Sequence, residues 1–239
     1  MLMGLPPLRG LEYPVLLKKS RQMLLVLTEN DTATTGVLYL FEREEGGGGW
    51  QRLNGGIPVV VGRNGLAWGM EGSPASLPRK KEGDGKSPAG VFSLGACFGF
   101  APEKEMKDLH IPYLHLTEMT ECVDDVSSRY YNRIVQKDEV ENLDWHSSEK
   151  MRQIEPQYRL GVLVNYNADP VVPGNGSCIF LHIWESPGHP TSGCTAMSEQ
   201  HLRKIVTWLA QKQNPILVQL TRPLYHSLKE LWHLPEMGL

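Results

Sequence analysis

His182 and Cys194 are the residues of this chain whose types and surroundings best suit covalent chemistry. They stand twelve residues apart in the segment GSCIFLHIWESPGHPTSGCTAM, Gly176 to Met197. A thiol becomes a nucleophile when a neighbouring base takes its proton, and an imidazole can take that proton and later return it to a leaving amine. Gly193 gives the backbone freedom to aim its own amide and that of Cys194 at a developing oxyanion. The chemistry such a set would serve is acyl transfer. The spacing alone leaves a plainer reading open, with His182 a hydrogen-bonded core histidine and Cys194 a small core residue after a Ser-Gly turn.

Two kinds of element must position this pair. Cys178, Phe180, His182 and Trp184 alternate with Ile179, Leu181 and Ile183, so the histidine belongs to a strand that is apolar on both faces and therefore buried. After Trp184, a Pro/Gly-rich loop returns the chain to Cys194. A helix from about Ser198 to Lys212 follows, with Ser198 as its cap and Leu202, Ile205, Val206 and Leu209 forming one apolar stripe. Its positive end faces the Cys194 loop, a weak aid to a thiolate at four residues' distance. Short strands are expected at 23–28, 37–43, 57–61, 90–95, 159–166 and 216–220, with Val37, Tyr39 and Phe41 in period two. The Gly46–Gly49 run reads as a hairpin connection. Residues 62–90 are dense in Gly and Pro and need function or packing to stay ordered. Two shorter helices are expected, from Ser147 to Ile154 and from Leu224 to Trp232.

Composition bounds the rest. The chain has 239 residues, 41% hydrophobic and 21% charged, enough for a sizeable core and wrong for a disordered chain. Gly (24) and Pro (17) favour turns and short strands over a helical bundle. A net charge of −3 offers no broad positive field for nucleic acid or anionic lipid. No apolar run is long enough for a membrane span, and the stretch Met23–Leu27 after Lys18, Lys19 and Arg21 reads as a strand, not an export signal. Cys97, Cys122, Cys178 and Cys194 include no C-x-x-C pair and imply no disulfide framework; the state of the first three stays open.

The combined pattern resembles the active-site signature of the L,D-transpeptidase (YkuD) family of peptidoglycan enzymes: a His, a loop, then Ser/Thr-x-Gly-Cys, here His182 and Thr191-Ser192-Gly193-Cys194. Glu82 to Phe92 (EGDGKSPAGVF) is similar to the family's GDGxTPxGxF segment. Cys122-Val123-Asp124-Asp125, Ser128 to Asn132 and Gly176-Ser177 look like the subgroup with a short His–Cys loop. The resemblance covers roughly residues 20–220. It implies a mixed α/β, β-rich chain: one β-sandwich-like domain with a few peripheral helices over 20–222, an N-terminal extension at 1–19 and a C-terminal helical tail at 223–239.

The resemblance also implies roles. Cys194 would attack the carbonyl before the terminal D-residue of a tetrapeptide stem, and His182 would be the base, its tautomer held by the Ile183 carbonyl. The Gly193 and Cys194 amides would form the oxyanion hole. The thioester would pass to an amine of a neighbouring stem, or to water in an L,D-carboxypeptidase. Thr191, Ser192, Trp184, His189, Arg129 and Asp125 are the substrate-binding candidates, with Asn132 beside them. Many members carry His before the Gly-Cys and Arg or Asn two residues after the Cys; here Ser192 and Ala196 stand there. His189, Arg79 or Arg129 would then supply the missing groups.

Other readings weigh less. His182, His189 and Cys194 are ligand types that suit zinc, but their spacing fits no common motif. No metal or cofactor is implied. Asp124-Asp125 more often caps a turn than does acid–base work. A non-catalytic wall-binding domain would need neither His182 nor Cys194. The expected partners are peptidoglycan stem peptides, not nucleic acid. The expected location is the periplasm or cell envelope, with a cytoplasmic role on precursors left open.

Overall fold

The computed structural model describes residues 11–46, 48–72, 74 and 76–237. Its strands are β1 (Gln22–Thr28), β2 (Thr35–Glu42), β3 (Gln51–Arg52), β4 (Ile57–Val60), β5 (Leu66–Trp68), β6 (Ser87–Gly99) and β7 (Tyr113–His115). They continue with β8 (Thr120–Val123), β9 (Ile134–Gln136), β10 (Ser148–Lys150), β11 (Leu160–Val164), β12 (Phe180–Ile183), β13 (Thr195–Met197) and β14 (Ile216–Thr221). The helices are α1 (Val15–Lys19), α2 (Glu199–Trp208) and α3 (Arg222–Leu228). The result is one β-rich domain with few helices, as expected.

The main sheet runs β1-β14-β6-β11-β12-β13-β4-β2, and β2 pairs back to β1, so the path closes on itself. β3 extends it beside β2, while β5 and β7 add to β6. β1 (QMLLVLT) is buried along its whole length because it lies between antiparallel β2 and parallel β14. Such a strand reads as a continuous apolar run instead of an alternating one. β2 and β3 pair as an antiparallel hairpin, with Phe41 opposite Arg52; of the glycine run expected to join them, Gly47 lies outside the described residues. A second sheet, β10-β8-β9, lies outside the ring. It is tied to the main sheet by a disulfide between Cys122, on β8, and Cys178, just before β12. That bond pairs two of the three cysteines whose state the sequence left open; Cys97 and Cys194 are the free ones.

Four elements differ from the sequence reading, among them the last helix, which spans Arg222–Leu228 and does not reach Trp232. Ser147–Ile154 is not a helix: Ser148–Lys150 pairs antiparallel with β8, and a 3-10 turn at Met151–Gln153 follows. α2 ends at Trp208, because Leu209 is already extended and a 3-10 turn at Gln211–Gln213 closes on left-handed Asn214. β6 is thirteen residues long, starting at Ser87 inside what reads as a turn. Residues 1–10 of the expected N-terminal extension lie outside the described residues. Leu11 and Leu17 are buried in the core, and the Trp232 indole N–H donates to the Glu12 carbonyl at 3.1 Å. Trp232 itself is buried beside Trp68, so the segment after α3 packs on the same core.

Candidate active site

β12 and β13 are neighbouring parallel strands with His182 opposite Ala196. Cys194 immediately precedes β13, so the sheet register sets the histidine and the cysteine side by side after the intervening loop has left and returned. Two hydroxyls grip the Cys194 carbonyl: Thr191 Oγ1 donates at 2.6 Å and Ser87 Oγ at 2.9 Å. Ser87 Oγ also accepts from the Gly62 amide at 2.8 Å. The EGDGKSP segment therefore underlies the cysteine turn. Asp84 shapes it by accepting from the Lys80 ammonium and the Lys81 and Lys86 amides at 2.8–2.9 Å. A Cβ on Gly193 would come within 3.2 Å of the Lys86 carbonyl oxygen, which explains the glycine by close backbone approach.

His182 Nδ1 lies 2.8 Å from the Ile183 carbonyl oxygen. A carbonyl can only accept, so Nδ1 carries the proton and Nε2 presents a lone pair. The Cys194 sulfur accepts from the Phe180 amide at 3.2 Å and donates to the Cys178 carbonyl at 3.4 Å. Both side chains are 7% exposed. Burial lowers the His182 pKa to about 4, against a small upward pull from the Ile183 carbonyl. Burial, then the negative charge of Glu149, pushes the Cys194 thiol well above its ordinary value, opposed by the Phe180 amide, Lys80 and Tyr158. In the free protein the pair is neutral thiol and neutral imidazole. A thiolate near neutral pH is therefore not the resting state.

The two side chains line a cleft of about 290 Å³ together with Trp184, His189, Thr191 and Ser192 from the connecting loop. Six of the ten sequence-nominated residues thus meet in one concavity. Ile183 contributes its carbonyl from behind, and Gly193 carries the turn, its amide donating to Thr191 Oγ1 at 3.1 Å. Arg129 and Asp125 are not among the residues lining the cleft. Asp125 accepts from the Ser127 amide and hydroxyl and from the His146 amide, a turn-capping role. Arg129 faces Asp144 and lies over the Tyr130 ring. Asn132 staples the chain, donating to the Tyr166 and Asn167 carbonyls and accepting from the Cys178 amide. Arg79 lines a separate cavity of about 420 Å³ with Trp68, Lys81 and Tyr166.

Three neighbours of the site carried no sequence signal. Arg63 donates to Ser192 Oγ at 2.9 Å, brought there because Gly62 bridges to Thr191. It is the arginine at this rim. Glu149 and Tyr158 line the cleft from the β10 side. Nothing in the sequence pairs β10 with β8, so their approach to Cys194 was illegible there.

Comparison with curated proteins finds no match. Among solved structures, the helical cell shape determining protein Pgp2 from Campylobacter jejuni is similar at 17% identity and a TM-score of 0.36. That alignment covers 86% of this chain and 54% of Pgp2, so the chain spans about half the length of that protein. The model of the YkuD L,D-transpeptidase catalytic domain, a family of cysteine-dependent cell-wall enzymes, matches residues 17–218. These residues contain the Asp84 segment, the His182/Cys194 cleft and the closed sheet as far as Val218 of β14, and the chain belongs to the YkuD L,D-transpeptidase family.

Proposed function

We propose that this chain is a peptidoglycan L,D-transpeptidase that forms a thioester between Cys194 and a donor tetrapeptide stem. The observation that carries the reading is the cleft shared by Cys194 and His182, with Nδ1 committed to the Ile183 carbonyl so that Nε2 is left as base. The Cys194 sulfur attacks the carbonyl before the terminal D-residue as its proton passes to His182 Nε2. The tetrahedral oxyanion is held by the backbone amide of Cys194, since the Gly193 amide is already given to Thr191 Oγ1. On collapse, the scissile C–N bond breaks, the amine of the D-residue takes the proton from His182, and the thioester remains. An amine of a second stem then attacks the thioester, loses its proton to His182, and releases the new amide and the Cys194 thiol. Because the resting pair is neutral, proton transfer accompanies attack instead of preceding it.

Trp184, His189, Thr191 and Ser192, with Arg63 behind Ser192, are the groups that would contact the stems. Residues 20–222 form the catalytic domain in this reading, with the segment after α3 part of its packing. The substrate polymer lies outside the cytoplasmic membrane, and the Cys122–Cys178 disulfide supports an oxidising compartment such as the periplasm or cell envelope. Among the described residues no helix is long and apolar enough to cross a membrane.

The test is product mass spectrometry after mixing a disaccharide-tetrapeptide with wild type and with Cys194→Ala. Loss of the terminal D-residue with crosslinked dimers in wild type alone is the expected result. Trimmed tripeptide without dimers would make the protein an L,D-carboxypeptidase. Full activity in Cys194→Ala would end the thioester reading. No adduct and no product, with Cys194 inert to alkylation, would favour a wall-binding domain.

A further inference from the structure

Tyr158 is buried in the 3-10 turn Gln157–Arg159, its ring edge-on to Phe98, Phe180 and His182 at centroid distances of 5.6, 5.4 and 5.4 Å. Those three contacts fix the ring, so its hydroxyl has a set position. The hydroxyl donates to Glu149 Oε2 at 2.5 Å, and Tyr158, Glu149 and Cys194 line the same cleft, where hydroxyl and thiol act on each other's protonation. Glu149 comes from β10, held opposite Cys122 by the small sheet. Among the described residues Glu149 makes no salt bridge, and Tyr158 is its hydrogen-bond donor. The charged groups that act on it are Asp124, at the end of β8, and Glu82, in the loop before β6. Both are acidic. Lys80, paired with Asp84, is the cation that acts on the Cys194 sulfur.

A phenol has one proton to donate and here has two acceptors. We propose that Tyr158 is a hydroxyl partner of the reacting sulfur whose donor direction is set by the protonation of Glu149. When Glu149 is protonated, its O–H donates to the Tyr158 oxygen, and the Tyr158 proton turns to the sulfur and steadies the thiolate. When Glu149 is ionised, Tyr158 donates to the carboxylate, and the sulfur loses a donor and gains a negative neighbour. The proton that leaves Glu149 goes to solvent, and Tyr158 keeps its own in both states. Tyr158 is a catalytic residue in this scheme and Glu149 a positioning residue. Burial, with the charges of Asp124 and Glu82, lifts the Glu149 carboxyl to about 7 against the pull of Tyr158, so both states are populated near neutrality. The inference rests on Cys194 as the nucleophile, but its consequence is a property of the thiol that needs no substrate.

The experiment is iodoacetamide alkylation of the intact protein from about pH 6 to about pH 9, with peptide mass spectrometry to separate Cys194 from Cys97. Wild type, Glu149→Gln, Tyr158→Phe and the double variant are compared, each with its thermal melt. In wild type the logarithm of the Cys194 rate should flatten around neutrality, where rising pH ionises Glu149 while the thiol is losing its proton. Glu149→Gln should remove the flattening and raise the rate at about pH 8 roughly tenfold, the effect of one pKa unit on the thiol. In the Tyr158→Phe background the same change should raise it by clearly less than in the wild-type background, because the through-space charge of Glu149 is still removed but no phenol proton can turn to the sulfur. An equal gain in both backgrounds, or no gain in either, would overturn the proposal. Coupled profiles in a protein without transpeptidase activity would overturn only the proposed function, and uncoupled profiles in an active enzyme only this switch.

Discussion

Glu149 and His182 share a cleft and titrate against each other in their effect on stability. Glu149 is raised from 4.5 to about 7, so it favours the folded state below about pH 4.5, and that contribution is lost as pH rises through 7. His182 is lowered from 6.5 to about 4, so its contribution is present above 6.5 and lost as pH falls through 4. Between about pH 4.5 and 6.5 the folded state holds one extra proton on Glu149 and lacks one on His182, and the two slopes cancel. Glu149→Gln unmasks the histidine. The variant should be more stable than wild type by about 3 kcal/mol at pH 7 and by little at pH 4.5, measured by urea unfolding at the two values. An equal gain at both would show that ionisation of Glu149 in the fold carries no cost. The pair that does the proposed chemistry was legible from residue type and spacing, His182 with Cys194 in a Gly-rich turn. Glu149 and Tyr158 were not, because a carboxylate and a phenol are ordinary surface and core residues until a fold places them on a sulfur.

The elements that hold the site differ in how openly the sequence states them. α2 is declared by its cap and stripe: the Ser198 hydroxyl accepts from the His201 amide, and Leu202, Ile205 and Val206 are buried. Ser198→Ala should cost about 1 kcal/mol in chemical unfolding. It should leave Cys194 alkylation unchanged, since the cysteine turn is held by Thr191 and Ser87; a changed rate would mean that the helix positions the thiol. β12 was legible for a similar reason, as an apolar run interrupted by one histidine. β10 was hidden because Ser148–Lys150 is polar and short, and only its pairing with β8 makes it a strand. The start of β6 was hidden by Ser87-Pro88-Ala89-Gly90, which has the composition of a turn. Gly90 stays in the strand at φ 144°, where a Cβ would meet the Met70 side chain at 2.5 Å. Its glycine marks a close contact, not a break in the chain.

At the scale of the molecule, two sheets meet at the cleft, and a disulfide joins them there. β8 and β10 of the small sheet carry Cys122 and Glu149, and the main sheet carries Cys178, His182 and Cys194. Phe98, Met151, Tyr158 and Phe180 pack in the same apolar cluster as these cysteines. The disulfide closes a loop between positions 56 residues apart, which the chain-entropy estimate makes worth about 4 kcal/mol. The double variant Cys122→Ser/Cys178→Ser should lose stability of that order in urea. Its amide hydrogens should exchange faster in β8–β10 than in β1 and β14; uniform loss of protection would show one cooperative unit instead. The cysteines were visible in the sequence but their pairing was not, because it depends on the fold of the 55 residues between them. The closed ring was illegible for the same physical reason, since Met23 lies opposite Ile216. That pairing has a consequence for synthesis. A ribosome adding about 5–20 residues per second needs roughly ten to forty seconds between finishing β1 and finishing β14. During that interval one side of an entirely apolar-rich strand has no neighbour, and any nascent chain cut short before residue 216 leaves it so. Closure of this domain therefore waits for nearly the whole chain, and a product truncated before residue 216 leaves one edge of β1 open to pairing with other chains.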